Sequence, residues 1–284
     1  MGANIRSIGV IGGGQMGAGI AQVAAQAGLS TVLFDISDKA LEKAQSGIIR
    51  RLDRAIEKEQ LTPEAKDEIL ANLTYSSDLS SLSKSDFVVE AIIENIEVKE
   101  KLFTELTPHL APHTILASNT SSISITRLAR ASDRPQRFIG MHFMNPVPVM
   151  ELVEIIRGLQ TDDETYEITK NLSEQMGKKT VLALDGPGFI VNRILCPMIN
   201  EAIYLLQEGV KPEDVDQAMM LGTNHPMGPL TLADFVGLDT LLAILELLHR
   251  ELGEDKYRPC PLLRKYVEAG WYGKKSGRGF YRHD

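Results

Sequence analysis

Apolar residues follow two rhythms along the chain. Short, mostly apolar runs at residues 5–11, 30–34, 86–92, 114–117, 137–143, 150–156 and 179–184 read as buried strands. Residues 38–71 instead repeat apolar positions at helical spacing, with Leu41, Ala44, Ile48, Leu52 and Ile56 sharing one face. That stretch breaks at Leu61-Thr62-Pro63-Glu64, where Thr62 caps a second helix that carries Pro63 in its first turn. Another helix is expected from about residue 98 to 110. Strands alternating with helices predict an α/β fold with a doubly wound, mostly parallel sheet.

At Asp185-Gly186-Pro187-Gly188 the rhythm changes. Beyond it residues 189–206, 212–221, 230–234 and 241–252 read as helices, several strongly apolar, with no strand signal before the tail. Two domains are therefore expected. Residues 1–185 hold the sheet with a helical hairpin inserted at about 38–71, and residues 186–284 form an all-α domain whose apolar helices also suit a homodimer surface.

The first strand runs directly into Gly12-Gly13-Gly14-Gln15-Met16-Gly17, and an Ala-rich stretch leads to a second strand that ends at Asp35. This is the strand, glycine turn, helix, strand and acid order of a Rossmann-type dinucleotide-binding unit. Gly12 permits the tight turn, Gly14 lets backbone N–H groups approach a pyrophosphate, and Gly17 lets helix and strand pack closely, while the helix N-terminus favours anionic charge. Asp35 would accept hydrogen bonds from ribose hydroxyls. A glycine-rich turn without a ligand is the competing reading, and the surrounding order of elements weighs against it. Like charges ~4 Å apart repel by about 1 kcal/mol in water and about 4 kcal/mol at an effective dielectric of about 20. Asp35, followed by Ile36 and Ser37 rather than Arg, thus predicts NAD over its 2'-phosphorylated counterpart.

Composition narrows the classes further. The 284 residues carry 38 acidic and 30 basic side chains, a net charge of -8 that argues against general nucleic-acid binding. No run of about 18 apolar residues is present to span a membrane. The opening Met1-Gly2-Ala3-Asn4-Ile5-Arg6 has neither an Arg-rich leader nor an apolar signal core, so a cytoplasmic protein is expected. Cys196 and Cys260, each beside a proline, are too few for a disulfide framework or a structural zinc site, and no metal is expected.

Ligands of such sheets sit beyond the carboxyl ends of the strands, which makes Glu94, Asn95, Asn119, Ser121 and His142 candidates for chemistry. Of the six histidines, His109, His113, His225, His249 and His283 read as structural or solvent-facing, the last at an end that reads as disordered. His142 lies at a strand end before Phe143-Met144-Asn145-Pro146. If the Pro146-Val147-Pro148 connection centres a hairpin on Pro148, His142 faces Glu154 across it, with Cβ atoms within about 5.5 Å. A carboxylate there orients the ring and stabilises its protonated form, making a general acid/base device, although a solvated surface pair satisfies the same arithmetic. Lys39, Lys43, Arg50, Arg54 and Lys58 also recur at helical spacing. They read either as a solvated face salt-bridged to Glu42, Asp53 and Glu57 or as a docking surface for a phosphorylated ligand.

Taken in order, several segments resemble the L-3-hydroxyacyl-CoA dehydrogenase family over essentially the whole chain. They are the glycine turn, Ser118-Asn119-Thr120-Ser121-Ser122, His142-Phe143-Met144-Asn145-Pro146, Asp185-Gly186-Pro187-Gly188-Phe189-Ile190-Val191-Asn192-Arg193, Pro226-Met227-Gly228-Pro229, and the closing Gly273 to Tyr281 stretch. Met144 stands where the family usually has Phe, a mild apolar exchange. The resemblance implies an NAD-dependent oxidoreductase that interconverts 3-hydroxyacyl-CoA, in particular 3-hydroxybutyryl-CoA, and 3-ketoacyl-CoA. It implies His142 as the proton-exchanging group, Glu154 as its partner, Ser121 and Asn192 on the reacting oxygen or thioester carbonyl, and Asn145 in support. Gly12, Gly14, Gln15, Met16, Gly17, Asp35, Glu94, Lys99, Asn119, Ser121 and Asn145 would surround NAD, and Arg50 and Arg54 would meet coenzyme A. A dehydrogenase of free hydroxy acids, as in the gulonate dehydrogenase and crystallin branch, and a non-catalytic NAD-binding structural protein are the alternatives.

Overall fold

In the computed structural model, which describes residues 5–283, the first apolar run forms β1 (Ser7–Ile11) and the glycine turn opens α1 (Gln15–Gln26). The opening Met1 to Asn4, on which the absence of a leader was judged, lies outside the described residues. β2 (Ser30–Phe34) follows, then α2 (Asp38–Glu57), α3 (Pro63–Ala71), β3 (Leu73–Ser76), β4 (Phe87–Glu90), α4 (Ile96–Leu106), β5 (Ile115–Ser118) and α5 (Ile125–Arg130). β6 (Phe138–Phe143), β7 (Leu152–Arg157), α6 (Asp163–Gln175) and β8 (Lys179–Leu184) complete the sheet region. The strand order is β3-β2-β1-β4-β5-β6-β7-β8, parallel except between β6 and β7. The expected α/β architecture is present, with one antiparallel step.

Local chemistry explains the element ends. Ser37 and Thr62 cap α2 and α3 by accepting from Ala40 N at 3.3 Å and Ala65 N at 3.2 Å. Leu41, Ala44, Ile48 and Leu52 bury the inner face of α2, each of the larger side chains contributing about 1.5–3 kcal/mol, while Ile56 is half-buried. Three expectations need correction. Residues 150–151 do not extend β7, because Val149 N and Met150 N both donate to Pro146 O and close a turn there. Residues 189–190 stay outside the following helix, Phe189 taking a left-handed φ of 49°. Asn95 is a helix cap, its side chain accepting from Val98 N at 3.0 Å.

Backbone proximity divides the chain into two units, Met1–Asp185 and Gly186–Asp284. The second consists of α7 (Val191–Gln207), α8 (Pro212–Thr223), α9 (Pro229–Val236), α10 (Leu238–Leu252) and α11 (Pro261–Glu268) around a core that includes Ile199, Ile203, Leu230, Leu241, Leu245 and Leu263. Its tail is not loose. Buried Asp234 accepts from Phe280 N and Tyr281 N, both at 2.9 Å, and its Oδ2 lies 2.8 Å from His283 Nε2. Cys196 and Cys260 are free and buried, and burial pushes the Cys196 thiol up to about 12. Among the described residues no helix is long and apolar enough to cross a membrane.

Candidate functional site

The glycine turn is built by close approach. Gly12 holds a left-handed φ of 112°, and a Cβ at Gly17 would fall 1.8 Å from the Gly12 carbonyl oxygen. Gly14 differs, because a Cβ there would meet nothing within 4 Å. No side chain caps α1 and no acid occupies its first turn, so its positive end remains available to an anion. At the end of β2, Asp35 Oδ2 accepts from Gly13 N at 2.7 Å and Oδ1 from Ser37 N at 2.9 Å.

A cleft of about 760 Å³ opens here. Gly12, Gly14, Gln15, Met16 and Asp35 line it, as expected for a dinucleotide, while Gly17 lies beneath as a packing residue. Ile36, Val98 and Leu102 also line it and were missed. Their signal was exposure of apolar residues, 88% for Ile36 and 42% for Val98, just past strand ends or on an outer helix face. Lys101 is the cation at this rim, and its ammonium lies 3.8 Å from Glu105. With Asp35 in the cleft, NADPH is expected to give a kcat/KM lower than NADH by about one to three decades, read by parallel rate assays; equal values would contradict the role of Asp35.

The other expected residues are not among those that line that cleft; Glu94, Asn119, Ser121, His142 and Asn145 sit at or just past strand ends, Lys99 on α4, and Arg50 and Arg54 on α2. His142 lies within β6, one residue before its end, and pairs in register with Glu154 on β7. Nδ1 and Oε2 are 2.6 Å apart, with Glu154 wholly buried and His142 6% exposed. When Nδ1–H donates to this carboxylate, proton exchange passes to Nε2. Asn119 Oδ1 accepts from Phe143 N at 2.9 Å, tying the end of β5 to the residue after His142. Asn145 Oδ1 accepts from Gln15 Nε2 at 2.9 Å and so joins the far side of β6 to the glycine helix. Lys178, itself buried, donates to Val147 O at 2.6 Å and Met150 O at 2.9 Å beneath the connection to β7, and burial lowers its affinity for the proton.

Glu94 organises the loop after β5. Its Oε1 accepts from Thr120 Oγ1 at 2.6 Å, Ser121 N at 2.8 Å and Ser122 Oγ at 2.9 Å. Lys99 is 1% exposed and hydrogen-bonds Glu90, with Glu94 Oε2 3.5 Å away. Asn192 stands in the first turn of α7 in the second unit, half-buried.

The basic face of α2 also resolves. Lys39, Lys43, Arg50, Arg54 and Lys58 are all exposed, and among the described residues no carboxylate lies within ion-pair distance of them. Asp53, one of the acids expected to neutralise this face, is taken by Lys66 of α3 at 2.5 Å. The salt-bridged version of the solvated face is therefore not formed.

Comparison with known proteins gives a consistent result. Residues 7–186 match the family model "3-hydroxyacyl-CoA dehydrogenase, NAD binding domain", and residues 188–283 match "3-hydroxyacyl-CoA dehydrogenase, C-terminal domain". The chain is 56% identical over 282 residues to 3-hydroxybutyryl-CoA dehydrogenase of Bradyrhizobium diazoefficiens, covering 99% of this chain and 96% of that protein. It is 45% identical over 287 residues to human mitochondrial hydroxyacyl-coenzyme A dehydrogenase, covering 98% and 91%. The crystal structure of (S)-3-hydroxybutyryl-CoA dehydrogenase from Ralstonia eutropha superposes with a TM-score of 0.96 at 50% identity, covering 99% of this chain and all of that one.

Proposed function

The chain belongs to the 3-hydroxyacyl-CoA dehydrogenase family, and we propose that it interconverts (S)-3-hydroxybutyryl-CoA and acetoacetyl-CoA by NAD-dependent hydride transfer through a His142–Glu154 acid/base pair. The observation that carries this reading is the buried 2.6 Å contact between His142 Nδ1 and Glu154 Oε2 at the carboxyl end of the sheet. In the oxidative direction His142 takes the proton of the 3-hydroxyl. In reduction it returns a proton to the 3-ketone oxygen. Glu154 fixes the ring and balances the charge of the imidazolium, so that no reorganisation is needed when the proton moves. Ser121 and Asn192 hydrogen-bond the reacting oxygen or the thioester carbonyl, and Asn145 holds the approach from the Gln15 side. NAD, when bound by Gly12, Gly14, Gln15, Met16 and Asp35, supplies or accepts the hydride at its nicotinamide. The residues fit that group, since the glycine turn leaves open space at Gly14 and an uncapped helix end for its phosphates.

The unneutralised cations of α2 support a coenzyme A ester over a free hydroxy acid, because nucleotide phosphates are held by exposed cations. Residues 1–185 then serve the cofactor, with the α2–α3 hairpin as their coenzyme A arm, and residues 186–284 serve substrate closure and pairing. Exposed Ile194, Leu221 and Phe235 of the second unit support a homodimer, and two free, buried thiols accord with the cytoplasm.

Comparing NADH oxidation with acetoacetyl-CoA and with free acetoacetate tests the proposal. Turnover confined to the thioester supports it; equal or better turnover of the free acid overturns it. Arg54→Ala should raise KM for acetoacetyl-CoA about three- to tenfold at low salt with kcat little changed, because a surface phosphate contact acts on binding. An unchanged KM would return this face to a solvated role.

A further inference from the structure

Glu90, the last residue of β4, has no exposed surface and takes no part in the chemistry above. Its Oε1 accepts from Ile92 N at 2.7 Å and from Lys99 Nζ, and its Oε2 accepts from Ser118 Oγ at 2.5 Å. Lys99 reaches on to Glu94 Oε2 at 3.5 Å, and Glu94 holds the hydroxyls of Thr120 and Ser122 and the amide of Ser121. Apart from the local bond with Ile92 N, the side-chain contacts of Glu90 therefore lead, directly or through Lys99 and Glu94, to the loop 118–122. Burying a carboxylate and an ammonium costs several kcal/mol per ion before pairing, and well-packed apolar residues of similar volume often stabilise a fold as well or better. Stability alone does not account for the pair. What an apolar pair cannot do is present acceptors at set positions to a short polar loop.

We propose that Glu90 is a positioning residue of the dehydrogenase, which through Ser118 and the Lys99–Glu94 link sets the loop 118–122 so that the Ser121 hydroxyl meets the reacting oxygen. The inference rests on the role given to Ser121 above. The same loop hands its order to the base, because Asn119 Oδ1 receives Phe143 N beside His142. Glu90 and Ser118 pair in register at the ends of β4 and β5, and Asn119 carries the link to Phe143 beside the His142–Glu154 pair of β6 and β7, so misplacement by a fraction of an ångström at either end acts on turnover.

A double-mutant cycle with an exchange measurement tests this. Glu90→Gln keeps the volume and should lower kcat with acetoacetyl-CoA about tenfold, yet less than about twofold in a Ser121→Ala background, since the two act on one interaction. Amide hydrogen exchange of Ser121, whose N–H is held by Glu94, should quicken about tenfold in Glu90→Gln, whatever the substrate proves to be. Should Glu90→Gln fail to fold, Ser118→Ala removes the hydroxyl that donates to Glu90 and accepts from Thr120 N at 3.2 Å, leaves both charges in place, and should show the same non-additivity at about threefold. A loss that recurs undiminished in the Ser121→Ala background, or Ser121 exchange equal to wild type, overturns the inference. Wild-type turnover in Ser121→Ala itself overturns the role of Ser121 in the proposed reaction, and the inference falls with it.

Discussion

Replacing His142 with alanine is expected to lower kcat by about 10²–10⁴-fold while NADH affinity stays close to wild type. The split follows from geometry. The cleft that suits the dinucleotide is lined by the glycine turn, Asp35 and apolar residues, whereas His142, the proposed acid/base group, lies outside it near the end of β6 in contact with Glu154. Glu154 has no exposed surface, so losing the histidine removes one hydrogen-bond partner from a buried carboxylate, which costs about 1–3 kcal/mol of stability. Turnover is therefore compared well below the unfolding temperature, with NADH titration reporting the folded fraction. Wild-type kcat in the folded variant would remove His142 from the mechanism.

The second large effect belongs to Gly17. A single methyl there would stand 1.8 Å from the backbone oxygen of Gly12, and neither partner is a flexible side chain that can swing away. α1 would have to lift from β1, so Gly17→Ala should lose about 3 kcal/mol or more of stability and bind NADH at least tenfold more weakly. Gly14→Ala is the contrast, since its Cβ meets no atom within 4 Å. That variant should melt near wild type while still weakening the cofactor, because its methyl enters the cleft that Gly14 lines. Equal melting of all three proteins in denaturant would contradict the packing role of Gly17.

Much of this site could be read along the chain because its parts obey short-range rules. The glycine turn and Asp35 are spaced by a strand and a helix of ordinary length, and the pairing of His142 with Glu154 follows from counting outward from Pro148. Thr62 and Pro63 announced α3 for the same reason. Other parts depend on packing at longer range. β3 is four residues long at the sheet edge, and its Leu-Thr-Tyr-Ser alternates over only two periods, too few to stand out from the helix before it. Lys99 has the sequence signal of an exposed helix residue, and only the fold shows that it turns inward to Glu90. The free state of the α2 cations was equally invisible, since Asp53 stands beside them in sequence yet turns to Lys66 on the next helix. The fixed tail is a related case: its polar residues read as loose until Asp234, far earlier in the chain, gathers two amides and a histidine.

In the proposed reaction a hydride passes between the nicotinamide of NAD and the 3-carbon of a coenzyme A thioester held in this site. Incubating the protein with acetoacetyl-CoA and NADH deuterated on the transferred face of its nicotinamide, then analysing the product by mass spectrometry, tests it most directly. The expected product is (S)-3-hydroxybutyryl-CoA carrying one deuterium on the 3-carbon. Product without that deuterium, or NADH left unconsumed beside intact acetoacetyl-CoA, would contradict it.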